Sequence, residues 1–270
     1  MNYEQLIRDR RSVRSFDGRP ILAEDMQKIT EFIRDVPNPY GIPVEFLLLD
    51  ANEHGLTSPV ITGATLWIAG KVKKVPHAEE AFGYSFEEMV LFMQSLGIGT
   101  TIIAGTMDRA AFEKAANLAE DEMLACVSPL GYPASSMSVR EKMMRMGIKA
   151  DSRIKFSELF FDGDFGTPLT EEKAGACAKA LEMVRLAPSA VNKQPWRAVV
   201  TDGRVDFFEH HDKGFVGEAS GDLQKIDVGI AISHFVHGAE ESGLAGHIEE
   251  ADISYQVPNE IEYITSWQKN

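Results

Sequence analysis

The spacing of hydrophobic residues changes several times along the chain, and these changes divide it into helical and strand-like segments. Apolar positions three or four residues apart are typical of a helix that buries one face, whereas short alternating or continuous apolar runs are typical of strands. The first spacing predicts helices at Tyr3–Asp9, Leu22–Arg34, Ser85–Leu96, Asp108–Leu118, a segment after Thr170, and Leu223–Ala239. The second predicts strands at Val44–Leu49, Thr65–Ala69, Glu122–Leu130, Arg197–Thr201 and Val205–Glu209.

Local signals refine two of these segments and mark a third stretch without regular spacing. Ser85-Phe86-Glu87-Glu88 matches a capping box, in which the serine and the second glutamate satisfy free amides at a helix start, and Gly97 is suited to end that helix. Leu223–Ala239 is apolar nearly all round, which predicts a helix buried on most sides. Residues 134–169 are irregular in composition and are predicted to form a long connection.

The order of elements repeats loosely along the chain. Phe16–Ile21 is followed by a predicted helix, a proline-rich loop and the strand Val44–Leu49. Phe165–Leu169 is followed by a helix, the loop Ala187–Trp196 and another strand. A repeat of this length indicates two similar halves packed together, as in a fused form of a symmetric dimer. We therefore expect a first half at 1–135, a connection at 136–168 and a second half at 169–270.

Charge and composition restrict the class of partner. The 27 Lys and Arg against 41 Asp and Glu give a formal net charge of −14, which disfavours binding to nucleic acid or to an anionic membrane. No apolar stretch is long enough to span a bilayer. Two cysteines are too few for a disulfide framework and fit a reducing cytoplasm, so we expect a cytoplasmic protein.

Two basic clusters run against the overall sign. Residues 8–19 hold five arginines, and arginine suits forked hydrogen bonds to phosphate. Residues 134–156 hold six basic and two acidic side chains. The first cluster indicates a site for a small anion. For the second cluster the favoured interpretation is a solvated face, because charge runs usually face water.

Two motifs carry the candidate chemistry. In an extended Arg10–Phe16, alternate side chains share one face, so Arg10, Ser12 and Arg14 point the same way at steps of about 7 Å. The loop Ala187–Trp196 combines stiffening prolines, short polar side chains and a flat tryptophan, which suits a planar heterocyclic ligand.

Together, these motifs resemble those of the FMN-dependent nitroreductase family, whose members carry an Arg-Arg-Ser-x-Arg segment and an Ala-Pro-Ser-x-x-Asn-x-Gln-Pro-Trp loop. Gly131-Tyr132-Pro133 and Leu96–Thr100 resemble two further family elements. The resemblance implies an α+β fold, a mixed β-sheet flanked by helices, here as an internal pseudo-dimer.

One departure from the family concerns the distribution of the motifs. Ordinary members place the polar loop soon after the arginines and bind flavin between two subunits. Here the matching place in the first half, Val36–Pro43, lacks Ser, Gln and Trp, and Phe160–Asp164 stands where the second half would carry arginines. Each half keeps what the other lacks, which indicates one complete flavin site per chain.

The resemblance also implies roles for individual residues. The phosphate and ribityl end of FMN would be served by Arg10, Ser12, the nearby Arg11, and Arg140 after the Gly-Tyr-Pro element. Arg14 would lie near the N1–C2 edge of the ring, and Ala104 and Gly105 near flavin N5. The other side of the flavin would be lined by Pro188, Ser189, Ala190, Asn192 and Gln194.

The implied activity is an FMN-dependent oxidoreductase that takes hydride from NAD(P)H, as a transient electron donor, and passes it to a nitroaromatic or quinone-like small-molecule acceptor. The flavin performs the chemistry, so no catalytic side chain and no metal are expected. Two alternatives stay open: an FMN-binding protein for sensing or storage, and a scaffold without flavin. The assembly is expected to be a monomer or a homodimer. His234 and His237 could hold a metal, but structural roles are the better interpretation.

Overall fold

A computed structural model describes residues 1–270 and contains ten α-helices and eleven strands. The helices are α1 Tyr3–Asp9, α2 Ala23–Phe32, α3 Ala51–His54, α4 Ala78–Ser95, α5 Arg109–Ala115, α6 Val139–Gly147, α7 Phe156–Leu159, α8 Glu171–Ala174, α9 Ala178–Leu186 and α10 Leu223–Glu241. The strands are β1 Val44–Asp50, β2 Leu66–Lys73, β3 Glu122–Met123, β4 Val127–Leu130, β5 Phe160–Asp162, β6 Trp196–Thr201, β7 Arg204–His210, β8 Val216–Gly217, β9 Gly221–Asp222, β10 Gly246–Glu249 and β11 Ile261–Lys269.

The strands form two main sheets, one on each side of a central helix pair. The first sheet is antiparallel, with β2 paired to β1 on one side and to β3 and β4 on the other. The second runs β10-β11-β7-β6-β5, and only β5 and β6 are parallel within it. The α+β class is confirmed, and the mixed sheet is the second of the two. None of the helices combines the length and the apolar composition that a bilayer crossing requires.

The central pair, α4 and α10, lies between the two sheets. The predicted burial of α10 is confirmed, because residues from Ile226 to Ala239 belong to a core cluster that also holds residues of both sheets. A smaller cluster covers the opposite face of the first sheet, where Trp67 packs edge-on against Phe112 of α5. The first sheet is therefore buried on both faces.

Two glycines let the central helices touch backbone to backbone. A Cβ on Gly83 would lie 2.0 Å from the Ile226 carbonyl oxygen, and one on Gly229 would lie 2.2 Å from the Glu80 carbonyl oxygen. Each glycine thus contacts the residue three positions before the other glycine. The close contact between α4 and α10 is therefore reciprocal.

The capping-box prediction was wrong. Helix α4 begins at Ala78 after His77, so Ser85 lies in the middle of the helix. Its buried hydroxyl donates to the Val36 carbonyl at 3.2 Å and accepts from the Asn38 amide at 3.1 Å. The local sequence around Ser85 does not distinguish a serine that caps its own helix from a mid-helix serine that hydrogen-bonds to a distant loop.

The expected long connection is instead ordered. It contains α6 and α7, and β5 adds the parallel edge strand to the second sheet. Charged residues on α6 obscured its helical spacing, and β5 is too short for a pattern of its own. Glu122–Leu130 is also not one strand, because it is broken between β3 and β4.

Candidate functional site

One cavity of about 480 Å³ takes its walls from both halves of the chain. Ten of the twelve predicted site residues line it. These are Arg10, Arg11, Ser12, Arg14, Ala104, Gly105, Pro188, Ser189, Ala190 and Asn192. Arg140 and Gln194 are not among its lining residues, and neither are the degenerate segments Val36–Pro43 and Phe160–Asp164.

The arginine segment is extended, as predicted, and is held by backbone pairing. The Val13 amide donates to the Thr100 carbonyl at 2.8 Å, and Ser12 pairs with Thr100 in an isolated bridge. The Val13 side chain is buried against Gly99, where a Cβ would be only 2.9 Å away. Because alternate residues face opposite ways, burying Val13 directs Ser12 and Arg14 toward the cavity.

Four arginines in the cavity wall have unsatisfied donors. Arg10 Nε, Arg11 Nη1, Arg14 Nη1 and Arg153 Nε are all buried without a hydrogen-bond partner. Two of them lie near a carboxylate but beyond hydrogen-bond distance: Arg10 Nε is 3.7 Å from Glu87, and Arg11 Nη1 is 3.9 Å from Glu141. Burial is the main cause that lowers the pKa of Arg10, Arg14 and Arg153 from the ordinary arginine value. Neighbouring arginines lower each pKa further, while Glu87 opposes the shift at Arg10, Glu141 at Arg14 and Asp151 at Arg153. Like charges held together with free donors create a strong preference for an anionic ligand.

Arg145 and Arg153 are functional candidates that sequence reasoning missed. Both line the cavity, so the solvated-face interpretation of the second basic cluster is wrong for these two residues. Arg153 Nη1 donates to the carbonyls of Ala150 at 2.9 Å and Ser152 at 2.8 Å, and Arg145 pairs with Asp151. Arg140, in contrast, is exposed on α6. The only signal in the sequence was the spacing of Met144 and Ile148, which lie four residues apart as on one face of a helix. Both residues also line the cavity.

The polar loop is held in an unusual backbone conformation. Val191, Asn192 and Gln194 have φ values of 44°, 60° and 53°, in the left-handed region that β-branched residues strongly avoid. Gln194 stabilises this shape: its backbone N–H donates to Ser189 Oγ at 2.8 Å, and its side-chain Oε1 accepts from the Ile154 backbone N–H at 2.9 Å. Gln194 therefore stabilises the conformation of the loop without lining the cavity.

Asn192 links the loop to the segment after α6. Its side-chain amide donates to the carbonyls of Lys149 at 2.8 Å and Ser152 at 3.1 Å. Trp196, expected as a flat wall, instead begins β6 and is fully buried in the core. Phe215 is the aromatic residue that lines the cavity.

Asp227 is a buried acid in the cavity wall that the sequence did not reveal, because it lies within the nearly all-apolar α10. Its carboxylate oxygens lie 3.1 and 3.0 Å from the Ala190 amide nitrogen and accept its hydrogen bond. Burial raises the pKa of Asp227 well above the ordinary aspartate value. The carboxyl group fixes the base of the polar loop.

The Ala104–Gly105 segment is held in place by the side chain of Arg109. Arg109 donates to the Leu124 carbonyl at 2.6 Å, the Ala125 carbonyl at 3.3 Å and the Ala104 carbonyl at 3.5 Å. These contacts fix a short, side-chain-poor stretch of the cavity wall, where a planar ligand could approach the backbone closely.

The two histidines of α10 lie in the interface with α4. His234 has one ring nitrogen 2.9 Å from the Met183 carbonyl and the other 2.8 Å from Glu87. His237 lies 2.6 Å from Glu88 and stacks on Tyr3. Both rings therefore have structural partners, which agrees with the structural interpretation.

The family model described as "Putative TM nitroreductase" matches residues 2–239. The comparison with curated proteins gives no match.

Among solved structures, one described as a "putative nitroreductase" from Thermotoga maritima aligns with a TM-score of 0.63 and 20% identity, covering 100% of this chain and 93% of that chain. A nitroreductase family protein from Clostridium difficile 630 aligns with a TM-score of 0.47 and 17% identity, over 58% of this chain and 96% of that chain. An FMN-dependent nitroreductase from Clostridium difficile R20291 aligns with a TM-score of 0.42 and 18% identity, over 49% of this chain and 88% of that chain. Since the family model spans most of the sequence and the first of these structures shares its fold over the whole chain, this protein belongs to that nitroreductase family.

Proposed function

We propose that the chain is an FMN-dependent oxidoreductase that accepts hydride from NAD(P)H and reduces a nitroaromatic or quinone-like molecule. The observation that carries this proposal is the cavity in which four arginines with unsatisfied buried nitrogens face a rigid polar loop. FMN combines a planar, partly apolar ring with a dianionic tail, so it matches both parts of this wall. Two unpaired cysteines, Cys126 and Cys177, are consistent with a cytoplasmic location.

The residues present fit FMN by charge and by shape. Arg10, Ser12 and Arg153 would hold the phosphate and the ribityl chain, with Arg11 and Arg145 adding positive charge. The apolar wall for the ring would come from Ile102, Ile148, Phe215, Leu223 and Ile226, which all line the cavity. One site with all of these groups corresponds to one FMN per chain.

The chemistry of hydride transfer belongs to FMN when it is bound, and the protein supplies binding and electrostatics. Arg14 would stabilise negative charge at the N1–C2 edge, since a preorganised cation there favours the reduced form. Ala104 and Gly105 would present backbone groups to the N5 edge. Asp227 would keep the loop Ser189–Asn192 in position through the Ala190 amide. Helix α6 would limit the access of water from outside.

An anaerobic titration tests the proposal. The purified protein is expected to be yellow, or to become yellow when FMN is added. Addition of NADH or NADPH should then bleach the visible absorbance band of the oxidised flavin. Subsequent addition of a nitroaromatic or a quinone should restore the oxidised spectrum. A protein that takes up no FMN would contradict the proposal.

The alternative, flavin sensing or storage without efficient turnover, is favoured by one feature. Ala104 stands where family members often have glutamate, so the N5 side of the site differs from the usual pattern. Flavin that binds tightly but stays oxidised for many minutes with both nicotinamide donors would support this alternative.

A further inference from the structure

Helix α6 has two unlike faces. Its inner face contributes Met144 and Arg145 to the cavity wall. Its outer face carries Val139, Met143 and Met146, which are 75%, 68% and 78% exposed. Spacings of four and three residues place these three side chains in one stripe. Exposed apolar stripes of this kind are uncommon on a solvated surface and usually mark an interaction site.

Unpaired cations surround the stripe. Arg140, Lys142 and Lys149 are exposed, and none of them forms an ion pair. The segment 134–156 holds six basic and two acidic side chains in a chain whose net charge is −14. This face therefore has a local charge opposite to that of the molecule as a whole, and it will orient an acidic partner toward α6.

The surface lies directly outside the cavity. The segment that follows α6 is tied to the polar loop through the Asn192 amide and the Lys149 carbonyl, 2.8 Å apart. The neighbouring Val191 lines the cavity and is still 57% exposed. A protein seated on the outer face of α6 is thus separated from the cavity by a single helix and its adjoining loop.

We propose that this face of α6 is a docking surface for a small acidic electron-carrier protein, which supplies electrons to the flavin site. The inference rests on the proposed function. Unpaired cations around flexible methionines complement an acidic partner with an apolar centre, and methionine adapts readily to a partner's shape. Two reduced iron–sulfur carriers would each lose one electron, and the bound flavin would take both electrons with two protons from solvent.

Charge argues against the other occupants. A symmetric dimer through α6 would place the same cations against one another, because a two-fold contact pairs identical patches. An anionic membrane would attract this face, but it would also repel the rest of a chain that carries a net charge of −14. A small acidic protein can contact the basic face of α6 alone, without approaching the acidic remainder of the chain.

Binding can be measured without turnover. The probe is an oxidised, acidic plant-type [2Fe–2S] ferredoxin, and its affinity for the FMN-loaded protein is measured by biolayer interferometry at several salt concentrations. We expect salt-sensitive binding that weakens at least tenfold in Lys142→Glu/Lys149→Glu and in Met143→Ser/Met146→Ser. The matched control is Lys73→Glu/Lys74→Glu, which makes the same charge change at the end of β2 and should bind normally. Circular dichroism and FMN content verify that each variant is folded.

The outcomes separate this inference from the proposed function. Loss of ferredoxin binding in the α6 variants, together with slower flavin reduction by reduced ferredoxin, supports the docking surface. No binding by the unmodified protein, or equal binding by the α6 and control variants, overturns it even if NAD(P)H reduces the flavin. Binding to phosphatidylserine vesicles instead, or self-association lost in the same variants, also overturns it. Failure to bind FMN overturns the proposed function separately.

Discussion

Replacing Arg153 with glutamine should weaken FMN binding and leave riboflavin binding unchanged. Riboflavin has the same ring and ribityl chain but no phosphate, so the comparison isolates the anionic end of the ligand. Arg153 is fixed by the Ala150 and Ser152 carbonyls through one terminal nitrogen, while its buried Nε has no partner. That Nε can give one charge-assisted hydrogen bond to a phosphate oxygen.

The size of the effect follows from two opposing terms. One hydrogen bond to a charged group contributes about 1.5–3 kcal/mol, which corresponds to roughly 10- to 150-fold in affinity. Removing Arg153 also relieves its repulsion of Arg10, since the charge of Arg10 lowers the pKa of Arg153. This relief opposes the loss, so we expect about a tenfold rise in the FMN dissociation constant, near the lower end of that range.

Isothermal titration with FMN and with riboflavin measures the effect. Arg140→Gln is the matched control, because Arg140 comes from the same basic cluster but is exposed outside the cavity. Equal losses for the two ligands would mean that Arg153 supports the fold and does not bind phosphate. A larger loss in the Arg140 variant would instead restore the role that the sequence resemblance implies for that residue.

The other predictions concern the site and the helix interface. Arg14→Ala should weaken FMN binding more than Arg34→Ala, measured by titration, because only Arg14 lines the cavity; equal losses would remove Arg14 from the site. The flavin-to-protein absorbance ratio should give about one FMN per chain, and two would contradict a single site. Gly229→Ala should lower the free energy of unfolding in a denaturant titration by about 3 kcal/mol through overpacking, whereas Gly147→Ala, whose Cβ meets nothing, should not. Burial raises the pKa of Asp227, so the stability that its protonated carboxyl contributes is present below the ordinary aspartate pKa and is lost as the pH rises above it. The melting temperature of Asp227→Asn should therefore exceed that of the unmodified protein by a margin that grows as the pH is raised above the ordinary aspartate pKa, and a constant difference would refute this.

The sequence predicted most elements whose hydrophobic spacing reports burial directly. Helix α10 was evident because nearly every position is apolar, and β1, β6 and β7 were evident as short apolar runs between turns. Ser85 misled because a capping motif is local, whereas the contacts that decide its role come from Val36 and Asn38 in a distant segment. The same limit explains why β5 was missed, since its partner lies in β6.

The candidate site was predictable where the backbone conformation of a segment, and therefore the direction of its polar side chains, follows from the sequence. Arg10, Ser12 and Arg14 alternate on an extended segment, so their shared face could be worked out. Arg145 and Arg153 could not be separated from Arg140 in the same way, because exposure depends on how α6 and the following turn pack. Within one basic cluster, tertiary contacts alone determine which arginines face the cavity.

The reciprocal contact of Gly83 and Gly229 has a practical consequence for redesign of the protein. Each hydrogen atom in place of a Cβ fixes the spacing of the central helices, and with it the spacing of two halves that both contribute walls to one cavity. Laboratory selection for a bulkier ligand should therefore leave both glycines untouched. Wider cavities should arise from changes in α6 and in the surrounding loops, which can yield without separating the halves.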